Sequence, residues 1–196
     1  MDIRELDRRA GAALSEVVSQ VRREQLWFPT PCADWTVRGL VRHLVSENEG
    51  FAAAAIDGSA PVQTWTGGRL ADNPAGAYRR SNARFVDVFS DEAALDRPVE
   101  VREFGTFPRR TALTFHLLGC VVHGWDLARA LDLPYDPPAE LVEAALDVAR
   151  RIPDTGRSRG PGAAFERAVQ VPEDAPGFDR LLAMLGRHTD WCSPLY

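Results

Sequence analysis

The chain has 196 residues, 45% of them hydrophobic, which is enough for one domain with a sizeable core. Its 23 Lys and Arg against 28 Asp and Glu leave a formal net charge of -5, with the basic residues scattered among acidic ones, so no nucleic-acid-binding patch is expected. No apolar run approaches the ~20 residues that span a bilayer, and the N-terminus Met-Asp-Ile-Arg-Glu-Leu-Asp is too charged for a secretory segment. These features point to a soluble cytoplasmic protein with neither nucleic-acid nor membrane partners.

Helical periodicity dominates the first two-thirds of the chain. Ile3, Leu6, Ala10, Leu14, Val17 and Val21 step by threes and fours and predict a first amphipathic helix to about Arg23. Pro29 and Pro31 then impose a loop. Thr36 is a natural N-cap for a second helix bearing Val37, Leu40, Val41, Leu44, Val45, Phe51 and Ala55, ended by Asp57-Gly58. Residues 62–69 read as a surface loop. A third helix is predicted from Pro74 to Phe89, with Tyr78, Phe85 and Phe89 inward. Residues 98–105 alternate briefly and suggest a short strand or an extended connector.

The fourth helix, about Arg109 to Leu131, is apolar on most sides from Leu113 to Val122, as in a helix packed against several neighbours. Pro137-Pro138 opens a fifth helix to Arg151, residues 165–171 suggest a short strand, and Phe178 to Arg187 makes a last helix. The predicted fold is all-α. It is an antiparallel four-helix bundle over residues 1–132, with residues 133–196 as a C-terminal helical extension on the same domain.

Three cysteines, Cys32, Cys120 and Cys192, form no C-x-x-C pair and leave an odd count. That pattern suits a reducing compartment rather than a disulfide framework. Cys120 lies in an apolar run and reads as core. Cys32 sits in an exposed-looking turn, with nothing nearby in sequence to activate it.

The chemistry-bearing residues are histidines within apolar helices. Burying imidazole without partners is costly, so His43 in the second helix and His123 in the fourth invite the reading that they face one another and hold a divalent metal. Catalytic zinc sites usually have three protein ligands. Glu47, one turn after His43, and His116, seven residues before His123, are the candidates for the third. Position 119, one turn before His123, is the other natural donor position, but Gly119 cannot ligate. A glycine there either allows close helix approach or leaves room for a ligand. Asp126 reads as a group that orients His123. No phosphate loop, nucleophile elbow or H-E-x-x-H motif is present.

Three segments are familiar together: residues 30–43 (Thr-Pro-Cys-Ala-Asp-Trp-Thr-Val-Arg-Gly-Leu-Val-Arg-His), residues 123–130 (His-Gly-Trp-Asp-Leu-Ala-Arg-Ala) and residues 179–187 (Asp-Arg-Leu-Leu-Ala-Met-Leu-Gly-Arg). They resemble the mycothiol-dependent maleylpyruvate isomerase-like proteins of the DinB-like superfamily of metal-binding bundles. The resemblance implies a divalent metal, zinc or nickel, that activates a low-molecular-weight thiol such as mycothiol for isomerisation or S-transfer. It also implies a ligand set of one histidine on the second helix and an acidic-x-x-x-His pair on the fourth. His43 and His123 match two of these positions, and Gly119 stands at the acidic one. The leading reading is therefore a thiol-dependent transferase or isomerase. Its rivals are a metal-free member with a repurposed cavity, acting as a binding protein or specialised biosynthetic catalyst, and a bundle without catalysis. A homodimer through exposed helix faces is compatible with all three.

Overall fold

The structure is a computed structural model and describes residues 2–32, 35–153, 155, 158–160 and 165–193. Helix α1 (Ile3–Ser19) is capped by Asp2, whose carboxylate accepts the Arg4 N–H at 2.9 Å, and buries Ala10, Leu14, Val17 and Val18. It stops short of Arg23. The chain re-enters a 3-10 turn over Arg23–Trp27, where the Gln25 side chain accepts the Arg22 N–H at 3.0 Å. Helix α2 (Val37–Asp57) has the expected ends. Thr36 Oγ1 accepts the Gly39 N–H at 3.2 Å, and Gly58 closes the helix at φ +87°, where a side chain would be strained.

Residues 62–69 depart from the predicted surface loop. Val62–Thr66 forms a short helix, α3, whose Trp65 is only 4% exposed. The indole packs on α2 against Gly50, where an added Cβ would stand 2.2 Å from the ring. Burial of so large a side chain outweighs the loop-forming composition around it. Helix α4 (Pro74–Val88) starts at Asn73, which accepts the Gly76 N–H at 2.7 Å, and buries Tyr78 and Phe85. Strands β1 (Pro98–Val101) and β2 (Gly105–Pro108) form an antiparallel hairpin pairing Val99 with Phe107. At its bend Arg102 and Gly105 have φ of +44° and +105°.

Helix α5 (Arg109–Ala130) is apolar around most of its circumference and packs on α1, α2, the hairpin and α6 (Ala139–Ala149). The bundle closes as a ring: α1 on α5, α5 on α2, α2 on α4, and α4 back on α1. Helices α6 and α7 (Gly177–Met184) extend the same core, with Leu141, Ala145, Leu181 and Leu182 packed in one cluster with Leu14, Leu40 and Leu127. The short strand suggested at 165–171 does not form among the described residues. There Phe165 bridges to Arg159, and the Val169 N–H is held by the Ala183 carbonyl at 2.8 Å. No helix is long and apolar enough to cross a membrane among the described residues.

Candidate functional site

His43 on α2 and His123 on α5 meet. Their rings lie 5.3 Å apart between centroids and nearly perpendicular, at 83°. Trp35, in the turn leading into α2, covers both, at 4.3 Å from His43 and 6.1 Å from His123. Ala33 and Asp34 of the same motif lie outside the described residues.

Each imidazole has a carboxylate beside its Nδ1, and each carboxylate has an arginine. His123 Nδ1 donates to Asp126 Oδ2 at 2.9 Å, and Asp126 is gripped by Arg187 through two bonds, at 2.8 and 3.2 Å. Asp126 is fully buried. Burial alone would raise its pKa, but the Arg187 guanidinium and the His123 hydrogen bond hold it below the ordinary aspartate value. Because Nδ1 is committed as a donor, the lone pair of a neutral His123 lies on Nε2.

On the other side, Glu47 Oε1 stands 3.9 Å from His43 Nδ1 and is ion-paired with Arg102 from the hairpin. Arg102 also lies over the Trp65 ring at 5.2 Å. Burial first, then the positive fields of His123 and Arg102, push the His43 pKa well below 6.5, so His43 is a neutral imidazole at physiological pH.

Arg187 was not singled out by sequence reasoning. Its placement depends on the end of α7. The Gly186 and Arg187 N–H groups return to the Ala183 and Leu182 carbonyls, with Gly186 at φ +81°. This turn motif needs glycine and aims the next side chain back toward α5. The same guanidinium reaches Cys32 Sγ at 3.8 Å, so a basic group does stand beside that cysteine, from 155 positions away. The three familiar segments are therefore joined in space through Trp35, His123, Asp126 and Arg187.

His116 is not part of this pair. Its Nδ1 donates to Asp7 at 2.7 Å and its Nε2 to Asn48 Oδ1 at 2.8 Å, while the Asn48 amide N–H donates to Ser81. Phe85 stacks on the ring at 3.7 Å. Burial opposes a charge here, but the Asp7 carboxylate outweighs it and raises the His116 pKa to about 10. The imidazolium is consumed in a core ion pair. Asp7 and Asn48 were legible in principle, since each is a polar residue in an apolar helical stripe. Asp7 falls between Ile3 and Ala10, and Asn48 between Val45 and Ala52.

Gly119 lies one turn below His123, and an added Cβ would meet no atom within 4 Å. Close helix approach is therefore not its role. Cys120 is core, as expected.

Residues 8–128 match the family described as mycothiol maleylpyruvate isomerase N-terminal domain. The chain is 29% identical over 182 residues to two uncharacterized proteins of Mycobacterium tuberculosis, from the CDC 1551 / Oshkosh and H37Rv strains, covering 91% of this chain and 94% of each relative. It also resembles crystal structures of the mycothiol-dependent maleylpyruvate isomerase and of a histidine-to-alanine mutant of it. Those TM-scores are 0.57 and 0.58, at 18% and 17% identity, over 75% of this chain. The chain spans 66% of the length of those solved chains, just under two thirds. At these identities the likeness establishes the fold, an all-α four-helix bundle with a short strand pair.

Proposed function

This chain belongs to the mycothiol maleylpyruvate isomerase N-terminal domain family, and from that premise we propose that it is a thiol-dependent isomerase or transferase acting on a small molecule, with mycothiol or a similar low-molecular-weight thiol as cosubstrate. The observation that carries this reading is the convergence of His43 and His123, each beside a carboxylate–arginine pair. Such pairs are how proteins orient imidazoles that must present one nitrogen to a ligand.

His123, His43 and Glu47 come together here, and His116 does not. Neutral imidazoles suit a divalent metal such as zinc or nickel. When bound, a dication favours thiolate over thiol at neutral pH. His43 and His123 would be the two protein ligands, with Glu47 holding His43 rather than ligating. The chain's own residues do the rest. Asp126 and Arg187 fix the His123 tautomer, Trp35 covers the two rings, and the proton given up by the thiol passes to solvent. The thiolate then adds to an electron-poor carbon. In isomerisation it leaves again after rotation about the intervening bond, and in transfer the S–C bond is kept while the adjacent carbanion takes up a proton from solvent.

A second reading, a metal-free member that binds a small molecule, is favoured by one observation. Among the described residues no group of three His, Cys, Asp or Glu could hold a metal ion. The deciding experiment is metal content and thiol-dependent turnover of the purified protein, with His43→Ala and His123→Ala alongside. About one metal per chain and turnover lost in both variants support the first reading. Small-molecule binding that survives both substitutions, with no metal, supports the second.

A further inference from the structure

A cleft of about 270 Å³ beside α1 takes its charges from Asp2, Arg4, Glu5, Asp7 and Arg8. Each is paired within the protein: Arg4 with Asp2, Arg8 with Glu5, and Asp7 with His116. A larger cleft, of about 360 Å³, lies between α2, α3 and α4, and neither His43 nor His123 lines it. The carboxylate in its lining, Glu49, is paired with Arg84. Arg69 and Arg80 also line it, and neither has an ion pair or hydrogen bond among the described residues. Two positive charges are thus left uncompensated in one cleft of a chain whose formal net charge is -5.

The segment that carries Arg69 is tied down at several points. Trp65 and Leu70, 4% and 3% exposed, anchor its two ends in the core. Between them the Gly68 N–H donates to Ser46 Oγ at 2.8 Å, and Ser46 Oγ donates to the Arg42 carbonyl at 3.0 Å. A Cβ at Gly68 would stand 2.4 Å from that carbonyl, and one at Gly67 would stand 2.5 Å from the Gln63 carbonyl. Two successive backbone approaches therefore require glycine, the residue that loses most conformational freedom on ordering. The result is a fixed backbone position for Arg69, on the same cleft as Arg80 of α4. The buried part of the lining is Val45, Ala77 and Ser81. The Ser81 hydroxyl is committed inward, donating to the Tyr78 carbonyl at 3.0 Å and accepting the Asn48 amide at 2.9 Å.

A guanidinium matches the paired oxygens of phosphate or carboxylate with two parallel hydrogen bonds. Two uncompensated guanidinium groups suit the charge of a phosphate monoester, about -1.5 to -2 at pH 7, better than the single charge of a carboxylate. The volume lies within the range of small-molecule sites and exceeds what a lone phosphate fills. We propose that this cleft binds a phosphate monoester of sugar size. Arg69 and Arg80 grip the phosphate, and the carbon skeleton lies against Val45 and Ala77. The site is separate from the imidazole pair and does not depend on the thiol chemistry proposed above.

The test is calorimetric titration of the full chain with glucose 6-phosphate, glucuronate and inorganic phosphate. Arg69→Gln, Arg80→Gln and His43→Ala are titrated in parallel, with circular dichroism as the fold control. Arg151→Gln, which removes an exposed arginine outside the cleft, controls for net charge. Glucose 6-phosphate should bind at about one per chain, roughly tenfold or more tighter than glucuronate or inorganic phosphate. Arg69→Gln and Arg80→Gln should each weaken it roughly tenfold or more, while Arg151→Gln and His43→Ala leave it unchanged. An equal loss in Arg151→Gln would reduce the effect to diffuse surface charge, and a loss in His43→Ala would move the ligand to the imidazole pair. Either result overturns the site, as does glucuronate binding as tightly as glucose 6-phosphate. So does the absence of binding by all three probes at millimolar concentration.

Discussion

Asp7→Asn removes one charge from the core and leaves its shape almost unchanged. Asp7 and His116 are 2% and 5% exposed and 2.7 Å apart, so the pair is screened by protein rather than by water. A His116 value of about 10 in the folded state, against an unfolded reference near 6.5, corresponds to roughly 4–5 kcal/mol. That agrees with the ~3–5 kcal/mol usually lost when one partner of a buried pair is removed. Set against a typical total of about 5–15 kcal/mol, the loss is large. It should lower the melting temperature by roughly 6–20 °C at pH 6, at about 2–4 °C per kcal/mol for a chain of this size.

The pH dependence separates charge loss from simple damage. Because the folded-state pKa lies above the unfolded one, the wild-type contribution is complete below about pH 6.5 and fades as pH rises toward 10. In Asp7→Asn, burial is no longer opposed and His116 stays neutral. That variant should lack the alkaline decline and instead lose stability as the pH falls below about 6.5. Calorimetric melts from pH 5 to 10 read both slopes. Parallel wild-type and variant profiles, or a melting temperature unchanged at pH 6, would refute the charged-pair assignment.

Arg187→Ala should destabilise the chain by about 3–5 kcal/mol, read as a urea midpoint, because it strands the buried Asp126 carboxylate. Arg187→Lys should recover only part of this, since an ammonium cannot reproduce the two-bond grip. Gly50 and Gly119 predict opposite signs. Gly50→Ala should cost about 1–3 kcal/mol and shift the fluorescence of Trp65, whereas Gly119→Ala should stabilise by up to about 1 kcal/mol. His43 should remain neutral well below pH 6.5 in the folded protein, visible as imidazole carbon shifts that do not titrate until the acid range. Ordinary titration near 6.5 would contradict its buried, cation-flanked setting.

Much of this was legible along the chain because helices declare themselves locally. Thr36 and Gly58 mark both ends of α2 within a few residues of backbone, and the capping chemistry that places them involves neighbours only. The stripes of α1 and α4 and the all-round apolarity of α5 imply a bundle for the same reason. His43 and His123 stood out because imidazole in an apolar stripe needs a partner.

Local reading failed where composition competed with a distant contact. Residues 62–69 look like loop until Trp65 finds Gly50. Residues 20–22 continue the heptad of α1, yet the helix yields to the Gln25 cap. By themselves, the residues determined the helices, their apolar faces and which histidines lie within them, since these follow from periodicity. Only the tertiary structure decided that His116 belongs to Asp7, 109 positions away, and that Arg187 crosses 61 positions to hold Asp126. Such pairings are set by where helices pack, and a charge leaves no trace in sequence of the distant partner that neutralises it.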